Sequence, residues 1–193
     1  GATLICQTVG TCNVAVSSHV LGMNGNLSGM NTKLYRISGF NFNGHGDFII
    51  WFYGAGTMTN IRIDNNRFTG QSADTTLLFF GENSTAGYFY GVIDHNTVTN
   101  SQSVALAQLI GSDNGSAPAG TRGTARNMYF ENNTVTIGTT TNAGLGCVDS
   151  WGGQSIVWRF NTTTNCLVTS HGVTHGWGPV NWELYGNRFI MNS

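Results

Sequence analysis

Apolar and polar residues alternate in short bursts along this chain, and six of the bursts are variants of one phrase. One copy reads Ile61-Arg62-Ile63-Asp64-Asn65-Asn66-Arg67-Phe68 and the next reads Gly91-Val92-Ile93-Asp94-His95-Asn96-Thr97-Val98. Further copies occupy 127–135, 157–163 and 182–189, and an early copy at 35–42 has Phe40 where the others have Asn. Alternation over so few residues, bounded by Gly and Asn, predicts β-strands, and its recurrence predicts a stack of similar turns. The aligned position falls at 40, 66, 96, 133, 161 and 187, so one turn takes about 26 to 37 residues and the chain holds about six turns. A helical repeat is excluded on two grounds. No window sustains an apolar period of 3.6, and residues that favour helix interiors are scarce, with Lys33 the lone lysine.

Stacking similar turns places equivalent residues about 4.8 Å above one another. Ile37, Ile63, Ile93, Phe130, Trp158 and Leu184 are therefore expected to form one interior column. Phe42, Phe68, Val98, Val135 and Phe189 form a second, interrupted by Thr163. Asn66, Asn96, Asn133, Asn161 and Asn187 stack at a bend, where each side-chain amide can bond to its neighbours above and below. The bend also needs left-handed backbone, which Asn tolerates, and the same five Asn are the residues expected to adopt it. These Asn read as structural.

The recurring order of apolar residue, polar residue, x, Asn, x, apolar residue resembles the right-handed parallel β-helix of the pectate-lyase-like superfamily, from Tyr35 to the end of the chain. The resemblance implies an all-β fold, a right-handed parallel β-helix. For function it implies less, because the superfamily includes lyases, hydrolases and phage tailspikes. Its lyases neutralise a uronate carboxylate with Lys or Arg, often beside calcium, whereas Arg62, Arg67 and Arg122 do not converge with the acidic residues here. Its hydrolases place two or three Asp on neighbouring strands near a His, a pattern that Asp113, Asp149 and His171 echo.

Composition narrows the partners. Only 9% of residues are charged and the formal net charge is −1, which offers no electrostatic basis for binding nucleic acid or an anionic membrane. No apolar run approaches the length of a membrane-spanning helix, so no membrane insertion is expected. No leader-like segment stands at Gly1, so the sequence reads as a mature or processed chain. Four cysteines make two plausible pairs, Cys6 with Cys12 and Cys147 with Cys166, the second joining successive turns. Disulfides place the protein in an oxidising, extracellular setting. Sequons stand at Asn26, Asn83, Asn114, Asn132 and Asn161, of which Asn161 belongs to the interior file.

Two regions are expected: an irregular N-terminal lead-in or cap over 1–34, and the coil over 35–193. The Gly- and Ser-rich stretch 111–123 reads as a projecting surface loop. The coil end after Asn187 leaves unpaired strand edges, which further chain or a second subunit would cover.

Chemistry is sought on the other strand of each turn. Counted from the preceding Asn, Glu82, Asp113 and Asp149 fall at nearly equal distances, which would align them on one side of the coil. Carboxylates one turn apart would lie about 5 Å from each other, a spacing that suits a retaining glycosidase pair or a Ca²⁺ site. His171 follows on the next strand as an acid or base near neutral pH. His175 and Trp177, among several Gly, would offer a titrating group and a stacking ring to a sugar, with Trp51 and Trp151 extending that aromatic surface or lying in the core. A metal reading of His171, His175 and Asp149 is the weaker one. His95 and Asp94 alternate in direction, so one of them faces solvent, and no catalytic role is assigned to His95.

Two readings of function result. The first is an extracellular β-helix that binds a neutral or mildly acidic polysaccharide in a groove lined by Glu82, Asp113, Asp149, His171, His175 and Trp177, with glycoside hydrolysis ahead of lyase chemistry. The second is a non-enzymatic element of a fibre, surface assembly or tailspike, self-associating through its coil ends.

Overall fold

The computed structural model describes residues 2–17, 20–24, 33–44, 48–54, 56–71, 75–81, 87–102, 104–111, 123–138, 146–170 and 178–192. Among the described residues, twenty strands form three parallel sheets stacked as a β-solenoid. The first sheet contains β1 (Ala2–Ile5), β4 (Tyr35–Ser38), β7 (Met58–Asp64), β10 (Phe89–Asp94), β13 (Met128–Glu131), β16 (Ser155–Arg159) and β19 (Asn181–Tyr185), in that spatial order. The second contains β2 (Cys12–Val16), β5 (Phe40–Gly44), β8 (Arg67–Thr69), β11 (Thr97–Asn100), β14 (Thr134–Ile137), β17 (Thr162–Thr164) and β20 (Arg188–Ile190). The third contains β3 (Leu21–Asn24), β6 (Phe48–Tyr53), β9 (Thr75–Phe80), β12 (Val104–Ile110), β15 (Val148–Trp151) and β18 (Val168–Ser170). No helix among the described residues is long and apolar enough to cross a membrane.

Each turn donates one strand to each sheet, so residues remote in number become neighbours. The register runs Ile37 to Ile63, Ile63 to Ile93, Ile93 to Phe130, Phe130 to Trp158 and Trp158 to Leu184. All but Leu184 are fully buried. The second column also holds, from Phe42 through Phe68, Val98, Val135 and Thr163 to Phe189. Aromatic rings inside the coil stack as the strands do: Phe42 lies 5.2 Å from Phe68, and Phe52 lies 5.0 Å from Phe80, each pair within 12° of parallel. Leu184 and Phe189, in the last strands, are exposed. Residues 2–24 supply β1, β2 and β3, which pair in register with β4, β5 and β6, so backbone pairing runs through the expected boundary near residue 35 without a break.

The Asn file forms at the corner between the first and second sheets. The Oδ1 of Asn96 accepts from the backbone N–H of Asn66 at 3.0 Å and from its Nδ2 at 3.1 Å, while Asn96 Nδ2 donates to the Ile63 carbonyl at 2.8 Å. Asn133 does the same for Asn96, Asn161 for Asn133, and Asn187 for Asn161. At Phe40 only the backbone N–H remains, and it donates to Asn66 Oδ1. The left-handed residue is not the ladder Asn itself but the one before it. Positive φ occurs at Asn65, His95, Asn132 and Phe160, and at Gly39 and Gly186. From β7 onward, reversal of the chain places left-handed backbone at the first residue after each strand of the first sheet ends, which leaves the next residue, the ladder Asn, free to aim its amide inward.

Both disulfides join the expected pairs. Cys6 bonds to Cys12 and Cys147 to Cys166, with Cα atoms 5.8 and 5.1 Å apart, and no free cysteine remains. Such bonds form and persist in oxidising compartments.

Candidate functional site

Of the residues expected to carry chemistry, Asp149 and Trp151 lie in described structure, both on β15. Glu82, Asp113, His171, His175 and Trp177 lie outside the described residues. Strand alternation fixes the direction of β15. Val148 and Ser150 turn inward beside Ala107 and Leu109, so Asp149 and Trp151 occupy the outward rows.

The outward row through Asp149 runs Trp51, Phe79, Gln108, Asp149, Thr169. The lateral neighbours of Asp149 are therefore Gln108 and Thr169. Counting residues from the ladder Asn does not reproduce this register, because the connections from the second to the third sheet differ in length from turn to turn. Gln108 Oε1 accepts from the Thr76 hydroxyl at 3.1 Å, which orients its amide along the same face. Asp149 is fully buried although its row faces outward.

Trp151 packs with Phe79 and Ile110, and Phe48 and Trp51 lie against them. Phe48 and Phe79 stack at 4.2 Å, and the Trp51 indole N–H donates to the Gly81 carbonyl at 2.9 Å. With 7% of its surface exposed, Trp151 supports this face as a packed wall, while Trp51 is the partly exposed indole. Among the described residues no three of His, Cys, Asp and Glu converge to hold a cation. The Ca²⁺ reading rests on Glu82, Asp113 and Asp149, of which Glu82 and Asp113 lie outside the described residues.

A second charged region lies on the outer side of the first sheet. Arg36 makes a two-pronged bond to Asp64 at 2.9 and 2.8 Å, and Arg62 does the same to Asp94 at 3.2 and 3.0 Å. Burial works to raise the Asp64 carboxyl, but hydrogen bonds from Arg36, Ser38 and Asn65 outweigh it and hold the group below the usual carboxylate value. Asn65 Nδ2 donates to Asp64 at 2.8 Å, and one turn on His95 Nδ1 meets Asp94 at 2.9 Å. His95 thus substitutes for Asn in a bend and faces solvent, while Asp94 is buried. A shallow corner hollow of about 440 Å³ beside it is lined by Asn41, Asn65, Arg67, His95 and Thr97.

A further concavity has no signature in the repeat. It holds about 460 Å³ and is lined by Thr57, Thr59, Asn60, Tyr88, Tyr90, Ala125 and Arg126. The Tyr88 and Tyr90 rings are parallel within 1°, with centroids 6.3 Å apart. Sequence reasoning missed it because its shape comes from an irregularity in strand pairing. The one available signal was the Tyr-x-Tyr spacing of 88 and 90, which puts both rings on one side of the chain.

Comparison with known proteins leaves the chain by itself: no family model, no curated protein and no solved structure matches it.

Proposed function

We propose that this protein is an extracellular polysaccharide-binding β-solenoid of the pectate-lyase-like, right-handed type, and that it hydrolyses its glycan on the outer face of the third sheet. The observation that carries the reading is Asp149, a fully buried carboxylate on an outward row, in register between Gln108 and Thr169. Burying a carboxyl is costly, and a fold that retains one on a working face has a use for it. Asp149 would act as the acid or base at the glycosidic oxygen, and Gln108 and Thr169 would hydrogen-bond sugar hydroxyls. Trp51 would give a sugar ring an apolar surface. Glu82 and Asp113 are the proposed second carboxylates, with His171, His175 and Trp177, in the sequence that follows β18, as further candidates. The two disulfides support the extracellular assignment.

The test is a polysaccharide panel scored for reducing ends and for the absorbance of unsaturated products. Hydrolysis predicts reducing ends without that absorbance, and Asp149→Asn should lower the rate by roughly 10²- to 10⁴-fold, the usual share of general acid–base catalysis. Absence of release on every substrate, with ordered polymers in micrographs, would replace this reading with that of a structural element.

A further inference from the structure

The cleft between the starts of β7, β10 and β13 lies on the first sheet, so a ligand there would not occupy the outer face of the third. Its shape comes from a β-bulge. Phe89 pairs with Met58 and Gly91 with Ile61, so Thr59 and Asn60 together oppose the single residue Tyr90. Bulges of this kind bend a strand and redirect side chains, and they concentrate beside functional sites. Gly91 makes the close approach possible, since a Cβ there would collide with the Ile61 carbonyl oxygen.

The opposite wall is held in place by local hydrogen bonds. The Thr124 carbonyl accepts from Asn127 Nδ2 at 2.9 Å and from the Tyr129 hydroxyl at 2.8 Å, and the Thr124 hydroxyl lies 3.3 Å from the Arg126 backbone N–H. Asn127 is fully buried, and Asn181 donates to its Oδ1 at 3.2 Å. This short turn presents Arg126 at the rim. Arg126 is exposed, and its guanidinium forms no ion pair among the described residues, whereas Arg36, Arg62 and Arg159 each have a carboxylate. Burial, followed by the neighbouring Tyr88, raises the Tyr90 phenol above its ordinary value, with Arg126 opposing. Tyr90 therefore remains a protonated donor at neutral pH.

We propose that this cleft is a glycan-anchoring site for a pyranose unit carrying an anionic substituent, separate from the face that bears Asp149. The sugar ring packs on Tyr88, which the parallel and buried Tyr90 ring backs, Thr59 and Asn60 meet its hydroxyls, and Arg126 takes the carboxylate or sulfate. An aromatic ring supplies apolar area for the C–H face of a sugar, and a guanidinium pairs with either oxyanion in two-pronged fashion. The assignment rests on the polysaccharide reading for its ligand class, yet it concerns binding alone.

The experiment titrates the intact protein with dextran, carboxymethyl dextran and dextran sulfate oligomers, and with inorganic sulfate, by calorimetry. The expected result is tighter binding of one or both acidic oligomers than of dextran, and little binding of sulfate alone. The two acidic arms identify which substituent is preferred. Arg126→Ala should weaken the preferred oligomer about tenfold or more, the size of one charge-assisted contact, and leave dextran unchanged. Arg126→Lys should recover part of the loss, and Tyr88→Ala should weaken every oligomer. Arg188→Ala, on the second sheet, serves as the control for non-specific charge, and thermal unfolding checks that each variant folds. Equal affinity of wild type and Arg126→Ala for every oligomer, or an equal loss in Arg188→Ala, overturns the proposal. Asp149-dependent release of reducing ends beside a null result here would remove the anchoring site while leaving the hydrolase reading intact. Arg126-dependent binding without any release would do the reverse.

Discussion

The corner between the first and second sheets and the outer face of the third obey different rules. At the corner the turns from β7 onward repeat one device: a left-handed residue, then an Asn whose amide bonds to its equivalents in neighbouring turns. On the outer face of the third sheet no residue type persists, and the row through Asp149 changes from Trp to Phe to Gln to Asp to Thr. Uniformity marks the place where the stack is held together, and variety marks the place where individual side chains are available for other work. The connections obey the same division. From β7 onward a constant two-residue link crosses the ladder corner, and links of varying length reach the third sheet.

The sharpest way to break this contrast is to remove one ladder amide. Asn96→Ala deletes the acceptor for two N–H donors of Asn66 and the donor to Ile63, all buried. With each orphaned buried group costing about 1–3 kcal/mol, the variant should lose roughly 3–5 kcal/mol in chemical denaturation. Asn187→Ala removes the same group from a half-buried position, where water can replace part of the bonding, and should lose about half as much. Equal losses at the two positions would mean that the ladder contributes through turn geometry and not through buried hydrogen bonds.

An intermediate effect is expected from acid. The Asp64 carboxyl has a folded-state pKa below its unfolded value, so the unfolded chain binds more protons than the folded one between the two. Its contribution is fully present above the unfolded value of about 4 and is lost as pH falls through the folded one. Asp64→Asn should therefore flatten the acid limb of a stability-against-pH curve measured below about pH 4 and reduce stability at neutral pH. An acid limb unchanged in the variant would assign the loss to other carboxyls.

The smallest effect concerns Phe160, the bulky residue in a left-handed position that Asn, His or Gly occupies in other turns. Left-handed backbone costs an ordinary side chain about 1–2 kcal/mol, and Phe160 recovers part of it through an edge-on contact with Tyr185 at 5.7 Å. Phe160→Asn should stabilise by about 0.5–1 kcal/mol in thermal or denaturant unfolding. A loss instead would show that the Tyr185 contact outweighs the backbone strain.

The ladder corner was legible in the sequence and the third sheet was only partly so, for physical reasons. Columns such as Ile37, Ile63 and Ile93 and the Asn file are read from letters that recur at one position in a phrase. The Cys147–Cys166 pair also follows from the winding, since the two stand in successive turns, whereas Cys6–Cys12 closes a local loop. The left-handed role was placed on Asn66 and its equivalents, one residue too late, because a recurring polar pair such as Asn65-Asn66 does not reveal which member reverses the chain. The register around Asp149 was beyond reach because it depends on the lengths of intervening connections. The Tyr88 and Tyr90 cleft depends on a pairing offset at Thr59 and Asn60, which no single letter announces.

The amide file also has a mechanical consequence. Every bond it makes, like the strand-to-strand bonds beside it, points along the stacking axis. Bending the rod strains all three sheets together, whereas a force drawing out one terminal strand meets the resistance of a single rung. Under tension the molecule should lengthen in discrete steps, one winding at a time, and remain stiff between them.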